Sequence, residues 1–423
     1  MNCLWLTLAD PEPAINGQLI YSQGLIESAH RAGIRLCVIG LSRPQESAPR
    51  RDEEGLVWRL TTLRKTSRRQ RLLSGKPEIA MRSYSQQAVD VLTRSLAECE
   101  WDAVVFDSLC AGWALDIVVQ HRARSTHRPR LVYIAHNHEV TVARRIARAS
   151  SGLRRLVRGV DAFKLARLER RLVTQADLVT SNTPEDCRKF AADADGTPVA
   201  FLPPGYGGCR VETRIIGPDV PRRVVVIGSF NWPPKRIALE SFLGAAASVL
   251  EQAGIELQIV GAIEPDYLAE LRRRHTSVTF VGPVEDVRPY MAAARIALVP
   301  DLLGGFKLKG LDYVFNRIPV LAMRIALPGM PLVEGRSIGL FDSHQALVQG
   351  VVELIDDFGS LNRRQAAAYE ACATRFDWQR IGRHLLAHIE RTSGGARSRS
   401  GPAYAGARSS STPSIPVPAT AGR

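Results

Sequence analysis

The strongest constraint on the fold is an alternation, repeated twice along the chain, of short apolar runs with segments of helical period. This order is typical of parallel strands joined by crossover helices, because consecutive antiparallel strands need only short turns. In the first half we predict strands at Leu4–Leu8, Arg35–Leu41, Ala103–Phe106 and Leu131–Ala135, and helices at Gln18–Ala32 and Gln87–Glu100. We therefore expect an α/β fold whose parallel sheet is covered by helices on both faces.

A second, similar series begins after the turn-rich segment Pro203–Gly208. Its predicted strands are Val224–Ile227, Leu257–Val260, Val278–Phe280, Ile296–Pro300 and Pro319–Ala322, and its predicted helices are Arg236–Ala253, Tyr267–Arg274, Val287–Ala293 and Lys307–Phe315. A chain of 423 residues exceeds the usual size of one domain. We predict two doubly wound domains with a hinge near residue 205, followed by a last helix at Trp378–Arg391.

Two segments lack this pattern. Residues Arg43–Met81 are polar, basic and irregular, and we predict a long insertion or mobile loop there. From Ser393 onward the chain consists mainly of Ser, Gly, Ala, Pro and Arg and has almost nothing to bury. A disordered basic tail is therefore expected.

Composition excludes several classes of protein. Apolar residues make up 45% of the chain and charged residues 23%, which excludes wholesale disorder. No run of ~18 apolar residues indicates a membrane-spanning helix, and the first ten residues lack the basic start of a secretory signal, so we expect a cytoplasmic protein. The seven cysteines are scattered without C-x-x-C or zinc-like spacing, so they are expected to be reduced, and no metal site is predicted.

Positive charge is concentrated between Arg144 and Arg171. This segment has ten basic residues and only two acidic ones, within a chain of net charge +14. Leucine, valine and phenylalanine recur among the arginines at helical spacing, which is typical of a basic amphipathic surface. Such a surface attracts polyanions or an anionic membrane. A solvated helix face explains the pattern equally well.

Lysine is rare in this chain and its positions are informative. Only 7 of the 56 basic residues are lysines, and beyond Tyr206 the only ones are Lys235, Lys307 and Lys309. All three fall in two glycine-containing turns that follow predicted strands, where backbone amides and a compact cation together suit a phosphate. The candidate phosphate-site residues in these turns are Gly228, Ser229, Asn231, Lys235, Gly304, Gly305, Phe306, Lys307 and Lys309.

Asp312 extends this candidate site, because it follows Lys309 by three residues on a predicted helix. A cation and a carboxylate on one face suit a diphosphate and the hydroxyls of a ribose. Taken alone, the spacing is better explained by a plain surface ion pair.

Polar residues also follow two predicted strands of the first half. One group consists of His136, Asn137, His138 and Glu139, and the other is the segment Asn16–Gln18, with Gly17 at its centre. Strand ends that face a cleft are where polar groups reach a substrate. The H-N-H-E cluster does not have metal-site spacing, because alternate strand positions point in opposite directions. For the other group, a simple turn and helix start is an equally good explanation.

In order along the chain, five motifs resemble bacterial retaining GT-B glycosyltransferases of the group 1 (family 4) type, over about residues 3–391. They are Asn16–Gln18, His136–Glu139, Gly228–Pro234, Val281–Tyr290 and Gly304–Asp312. The resemblance implies two Rossmann-like domains that face a cleft. The implied domains are residues 1–205 on the acceptor side, 206–377 for the nucleotide sugar, a crossover helix at 378–392 and the tail at 393–423.

The resemblance also implies roles for individual residues. The equivalents of Lys309 and Asp312 hold the donor's diphosphate and ribose, and the equivalent of His136 contacts the donor sugar. The backbone of Gly304 and Gly305 meets the diphosphate or the sugar. Two residues depart from the usual pattern, because Asp312 and Gly304 stand where many members have glutamate, so the ribose contact is expected to be weaker or mediated by water.

The implied activity is transfer of a sugar from a nucleotide-diphosphate donor to a hydroxyl of a glycan or lipid-linked acceptor, with retention of configuration. No cofactor or metal is expected, because lysines and helix-end amides would stabilise the leaving diphosphate. The alternatives are a sugar-nucleotide epimerase on the same fold or a non-enzymatic basic protein that binds membrane or nucleic acid. No nucleic-acid-reading motif is recognisable, so nucleic acid is not expected. The favoured setting is surface polysaccharide assembly at the inner face of the cytoplasmic membrane.

Overall fold

The computed structural model describes residues 1–43, 52–62, 74–148 and 150–392, and two parallel sheets form its framework. The first sheet has seven strands in the order β3-β2-β1-β4-β5-β6-β7. These strands are β1 Asn2–Ala9, β2 Arg35–Leu41, β3 Leu56–Thr61, β4 Ala103–Asp107, β5 Arg130–Ala135, β6 Leu178–Ser181 and β7 Val199–Phe201. The helices of this part are α1 Gly17–Arg31, α2 Glu78–Met81, α3 Gln86–Glu98, α4 Leu115–Arg124, α5 Glu139–Arg148, α6 Gly152–Gln175 and α7 Pro184–Asp193, with a 3₁₀ turn at Leu109–Ala114.

The second sheet has six strands in the order β10-β9-β8-β11-β12-β13. They are β8 Arg223–Ile227, β9 Glu256–Val260, β10 Val278–Gly282, β11 Ile296–Val299, β12 Val320–Met323 and β13 Gly339–Phe341. The helices that follow are α8 Pro233–Gln252, α9 Pro265–Arg274, α10 Arg288–Ala292, α11 Leu308–Phe315, α12 His344–Leu354, α13 Phe358–Cys372 and α14 Trp378–Arg391. The predicted α/β class with two doubly wound sheets is confirmed.

The strand order places the functional edge of each sheet. Successive strands are added toward one edge of the first sheet up to β3 and toward the other edge from β4 onward, so the strand order reverses between β1 and β4, and in the second sheet it reverses between β8 and β11. Ligands of open parallel sheets bind at such switch points, beyond the carboxyl ends of the strands. Every residue of β4 is buried, as expected for a central strand that is covered by helices on both faces.

The prediction of an irregular insertion over Arg43–Met81 is wrong for the part that the structure describes. Leu56–Thr61 is a strand that pairs in parallel with β2, and Glu78–Met81 is a short helix. The strand is at the edge of the sheet, only two of its six residues are buried, and Arg59 interrupts its apolar run. Residues 44–51 and 63–73 of that segment, and the tail predicted to be disordered at 393–423, lie outside the described residues.

The last helix crosses back to the first sheet and packs on α1. Ile381, Leu385 and Ile389 are buried in a cluster with residues of α1 and of the first sheet. Glycines permit the close approach, since a Cβ at Gly24 would lie 2.2 Å from the Trp378 ring and one at Gly382 would lie 2.1 Å from the Ser28 carbonyl oxygen. The C-terminal helix therefore joins the two halves of the chain. None of the helices in the described ranges is both long and apolar enough to cross a bilayer.

Candidate active site

The two switch points face each other across a cleft. Gly305, which follows β11, has φ +91°, and a Cβ on it would lie 2.8 Å from the Asn137 side-chain oxygen, which follows β5. At the start of α1, a Cβ on Gly17 would lie 3.7 Å from Leu308 of α11. Residues of both sheets, among them Asn137 and Gly305, line a cavity of about 70 Å³. Only glycine satisfies both the dihedral angle and the space at position 305.

The two lysine-bearing turns meet around one carboxylate, that of Asp301. Lys309 Nζ lies 2.5 Å from Asp301 Oδ2, and these side chains are only 14% and 11% exposed. Lys307 Nζ donates to the carbonyl oxygens of Gly304 and Gly305, at 2.7 and 3.2 Å. The two turns that the sequence indicates as a candidate phosphate site therefore lie together, whereas Asp301 at the end of the buried β11 run was not singled out from the sequence.

Lys235, Lys307 and Lys309, which we call the lysine cluster, place an excess of positive charge around Asp301. Burial acts to raise the pKa of Asp301, but Lys309, Lys307 and Lys235 overcome it and hold that pKa below its usual range. Burial lowers the pKa of Lys307 to about 8, Lys309 and Lys235 add to this shift by repulsion, and Asp301 and more weakly Asp186 oppose it. Burial and Lys309 also lower the pKa of Lys235. Three ammonium groups around one carboxylate favour a further anion.

Backbone amides at a helix start add to this cluster. Neither α8 nor α11 is capped by the side chain of its N-cap residue, Trp232 or Lys307. Helix α8 begins with Pro233 and Pro234, which have no N–H, so α11 offers more free donors. The backbone is also tight beside Gly228, because a Cβ at Gly261 would lie 1.8 Å from its carbonyl oxygen. Ser229 and Asn231 lie in this same turn.

Asp312 lies apart from the lysine cluster. Lys309 pairs with Asp301 and not with Asp312, so the simple ion pair considered for positions 309 and 312 is wrong. Burial raises the pKa of Asp312 to about 6, and a hydrogen bond with Tyr206 acts against that shift. The Tyr206 ring stacks on Phe315 at 4.6 Å between centroids. Tyr206, which belongs to the predicted hinge, was not recognised from the sequence.

Phe306 has a packing role in the structure. Its ring lies 5.7 Å from that of Phe376, centroid to centroid, and a Cβ at Gly329 would lie 3.1 Å from it. The ring belongs to an apolar cluster that includes Phe315. A ligand contact at position 306 would therefore use the backbone.

On the other side of the cleft, His136 forms a buried pair with Asp107. His136 Nε2 lies 2.6 Å from Asp107 Oδ1, and the Asp107 carboxylate also accepts hydrogen bonds from Trp5 and Thr7 at 3.2 and 3.0 Å. Burial acts to raise the pKa of Asp107, but the His136 charge and the hydrogen bonds hold it below its usual value. The pair fixes the orientation of the imidazole. The signal missed in the sequence was the acid that ends an otherwise apolar strand, β4.

The next three residues have different surroundings. His138 Nδ1 bonds Thr141 Oγ1 at 2.7 Å and its Nε2 lies 3.3 Å from Asp193, so both ring nitrogens are engaged within the first half of the chain. Asn137 donates to Glu139 at 3.2 Å, and burial raises the pKa of Glu139. Asn137 and Glu139 are therefore hydrogen-bonded to each other beside Gly305, whereas His138 connects α5, through Thr141, to α7, through Asp193.

The Asn16–Gln18 segment is mainly a helix start. Asn16 Oδ1 accepts from Leu19 N at 3.1 Å and caps α1, which agrees with the simpler explanation for this residue. Gln18 Nε2 lies 3.5 Å from Ser108 Oγ, whose residue has the unusual φ of +69°. Gln18 therefore borders the cleft next to Asp107. Within the described ranges, no group of three or more His, Cys, Asp or Glu side chains is arranged to hold a metal ion.

Comparisons with known proteins agree with this geometry. Residues 221–357 match the family model "Glycosyl transferases group 1". The MMP alpha-(1->4)-mannosyltransferase of Mycolicibacterium hassiacum is 26% identical over 193 residues, which are 43% of this chain and 46% of that protein. The chain thus spans less than half the length of this curated relative.

Solved structures resemble the chain over almost its whole length. The sucrose-phosphate synthase of Thermosynechococcus elongatus superposes with a TM-score of 0.71 at 16% identity, covering 93% of this chain and 99% of that one. Anabaena HepE, solved with UDP and glucose, gives 0.60 at 16% identity, covering 92% and 100%. The two facing sheets and the returning helix give the chain the GT-B fold of these structures, and residues 221–357 within it resemble group 1 glycosyltransferases.

Proposed function

We propose that this protein transfers a sugar from a nucleoside-diphosphate donor to a hydroxyl of a glycan or lipid-linked acceptor. The observation that carries the proposal is the convergence of Lys235, Lys307 and Lys309 on the carboxylate of Asp301. With Asp186 counted with its own partner Lys189, the three lysines and Asp301 leave a formal excess of two positive charges when all are ionised. A diphosphate supplies the opposite charge, and the free amides at the start of α11 supply donors for its oxygens.

In the proposed reaction, the bond between the anomeric carbon and the diphosphate breaks while the acceptor oxygen bonds to the same face of that carbon. The acceptor's proton passes to an oxygen of the departing phosphate, so configuration is retained without a covalent enzyme intermediate. Negative charge grows on the distal phosphate, where Lys309 and the α11 amides stabilise it. We propose no cofactor or metal, because the lysine cluster already supplies the charge that this step needs.

The two halves of the chain have different proposed tasks. Residues 206–377 hold the donor, with the diphosphate at the lysine cluster and the ribose hydroxyls at Asp312. Residues 1–205 present the acceptor, and His136, oriented by Asp107, contacts the donor sugar from across the cleft. A structural neighbour solved with UDP and glucose supports a donor of this class.

The proposed setting is surface polysaccharide assembly at the inner face of the cytoplasmic membrane. The resemblance to group 1 enzymes supports this setting, and so does the excess of basic residues between Arg144 and Arg171. A lipid-linked acceptor would be held at such a surface, close to the enzyme.

The test begins with a thermal-shift screen of UDP-, GDP- and ADP-sugars, because a bound donor raises the melting temperature by mass action. The stabilising donor is then incubated with lipid-linked and free glycan acceptors, and the products are analysed by mass spectrometry and by NMR of the anomeric proton. Transfer with retained configuration supports the proposal. An isomerised donor sugar without transfer would instead identify an epimerase, and inverted product would refute the same-face route.

A further inference from the structure

The helical hairpin formed by α5 and α6 exposes an unusual amount of apolar surface. Leu153, Leu156, Val160 and Phe163, all on the first part of α6, are 75%, 68%, 58% and 72% exposed. Large apolar side chains at adjacent exposed positions mark a surface that contacts something other than water. We call these four residues the apolar stripe.

The apolar stripe is separate from the face that packs α6 against the protein. The spacings of three, four and three residues keep the stripe on one side of the helix. The buried face of α6 consists of Ala162, Leu165, Leu168 and Leu172. Leu153 and Ala162 are nine residues apart, which is about two and a half turns, so the two faces are opposite. Helix α6 is therefore apolar on two opposite sides, of which only one is used by the fold.

Arginines continue the exposed face toward the base of the hairpin. Arg167 and Arg170 lie one and two turns beyond Phe163, and Arg144 faces them from α5. Together with Phe163 they line an open groove of about 970 Å³. Within the part of the chain that the structure describes, none of these three arginines has a carboxylate within salt-bridge distance. The acids of the groove are Asp193, which is engaged by His138, and Asp195.

We propose that this hairpin docks the protein on an anionic lipid bilayer. The apolar stripe spans about 15 Å of helix and would enter the acyl region, while Arg144, Arg167 and Arg170 would lie at the depth of the lipid phosphates. An apolar end followed by guanidinium groups matches the order of layers in a bilayer. It does not match a nucleic acid, which has no apolar layer to receive four large hydrophobic side chains.

Docking by this hairpin would also place the cleft at the membrane. Helix α5 separates the groove from the cleft, because Arg144 lines the groove whereas Thr141 and Arg145 line the cleft cavity. His138 borders both spaces. The consequence that the acceptor arrives from the lipid surface rests on the proposed function, but the docking itself does not.

The experiment measures sedimentation of the full chain with vesicles, so it is independent of transfer activity. The vesicles contain phosphatidylcholine with or without phosphatidylglycerol, and each is tested at low and high salt. Variant L153S/L156S/F163S removes apolar area but keeps every charge, and variant R144Q/R167Q/R170Q removes charge but keeps the stripe. Each is expected to weaken binding to anionic vesicles on the order of a hundredfold.

Matched controls change the same residue types on exposed positions elsewhere. They are I215S/V249S/V333S for the apolar variant and R273Q/R336Q/R383Q for the charge variant, and both should bind as the unmodified protein does. Far-UV circular dichroism and thermal melting verify that all variants are folded. The proposal is overturned if the unmodified protein does not sediment with anionic vesicles at low salt. It is also overturned if the hairpin variants bind as their controls do, or if an oligonucleotide of equal phosphate concentration prevents sedimentation.

Discussion

Replacing Lys309 by methionine should separate the catalytic use of the lysine cluster from its effect on folding. The substitution keeps most of the length of the unbranched side chain but removes the charge that lies 2.5 Å from Asp301 Oδ2. The pair is mostly buried, and breaking a buried pair by removing one partner costs about 3–5 kcal/mol. Lys307 and Lys235 still face Asp301, so we expect about 3 kcal/mol, the lower end of that range.

The effect on catalysis should be larger and should have a different origin. Lys309 is proposed to stabilise charge that grows on the departing diphosphate, and loss of one such donor lowers kcat by about 10²–10³. In K309M the Asp301 carboxylate also becomes a less compensated neighbour of the phosphates. We therefore expect kcat/KM to fall by about a thousandfold, the upper end of that range.

The double variant K309M/D301N provides the decisive comparison. It removes both charges of the buried pair, so part of the lost free energy of unfolding in urea should return, but not all of it, because Lys307 and Lys235 lose the carboxylate that they face. Turnover should stay low, because the lysine is still missing. K76M, a lysine substitution outside the site, serves as the control. Turnover of the double variant within tenfold of the unmodified protein would refute the reasoning.

Three further predictions concern titrating groups. UDP affinity should fall as pH rises through about 8, where Lys307 loses its proton. The free energy of unfolding should rise as pH increases above about 8, because the unfolded chain holds that proton to higher pH. Calorimetry of UDP binding and urea titration should show neither trend in K307M. With the pKa of Asp312 at about 6, UDP affinity should rise as pH increases through 6. The free energy of unfolding should decline as pH increases from about 4 to 6. D312N should remove both trends. Y206F, which removes a hydrogen bond that lowers this pKa, should move the midpoint of the affinity profile to higher pH. D107N should lower the free energy of unfolding by about 3 kcal/mol at neutral pH, because it leaves His136 without its buried charged partner. In urea unfolding, this difference should shrink below about pH 4, where Asp107 begins to be protonated in the unfolded chain. An equal difference at pH 3 would contradict the prediction.

The fold was largely predictable because most central strands are continuous apolar runs. Val224–Ile227 and Ala103–Phe106 are buried on both faces and were predicted within a residue of their observed bounds. The edge strand β3 was not, because only two of its six positions are buried and Arg59 interrupts its apolar run. A fully buried strand is a continuous apolar run that can be recognised in the sequence, whereas a partly buried edge strand is not.

Much less of the candidate site could be predicted. The three lysines stood out because lysine is rare in this chain, and the structure brings them together. Asp301 and Asp107 were missed because a single acid at a strand end carries no periodic signal. Their importance depends on partners far along the chain, since Asp107 meets a histidine 29 residues away. Only the folded topology brings such residues into contact.

A crystal structure of the full chain with bound UDP tests the central claim most directly. We expect the diphosphate to lie within hydrogen-bonding distance of Lys309 Nζ and of the amides at the start of α11, with the ribose hydroxyls toward Asp312. Lys309 would then exchange part of its contact with Asp301 for the phosphate. A diphosphate bound elsewhere, or a lysine cluster that remains closed around Asp301 at saturating UDP, would contradict the account.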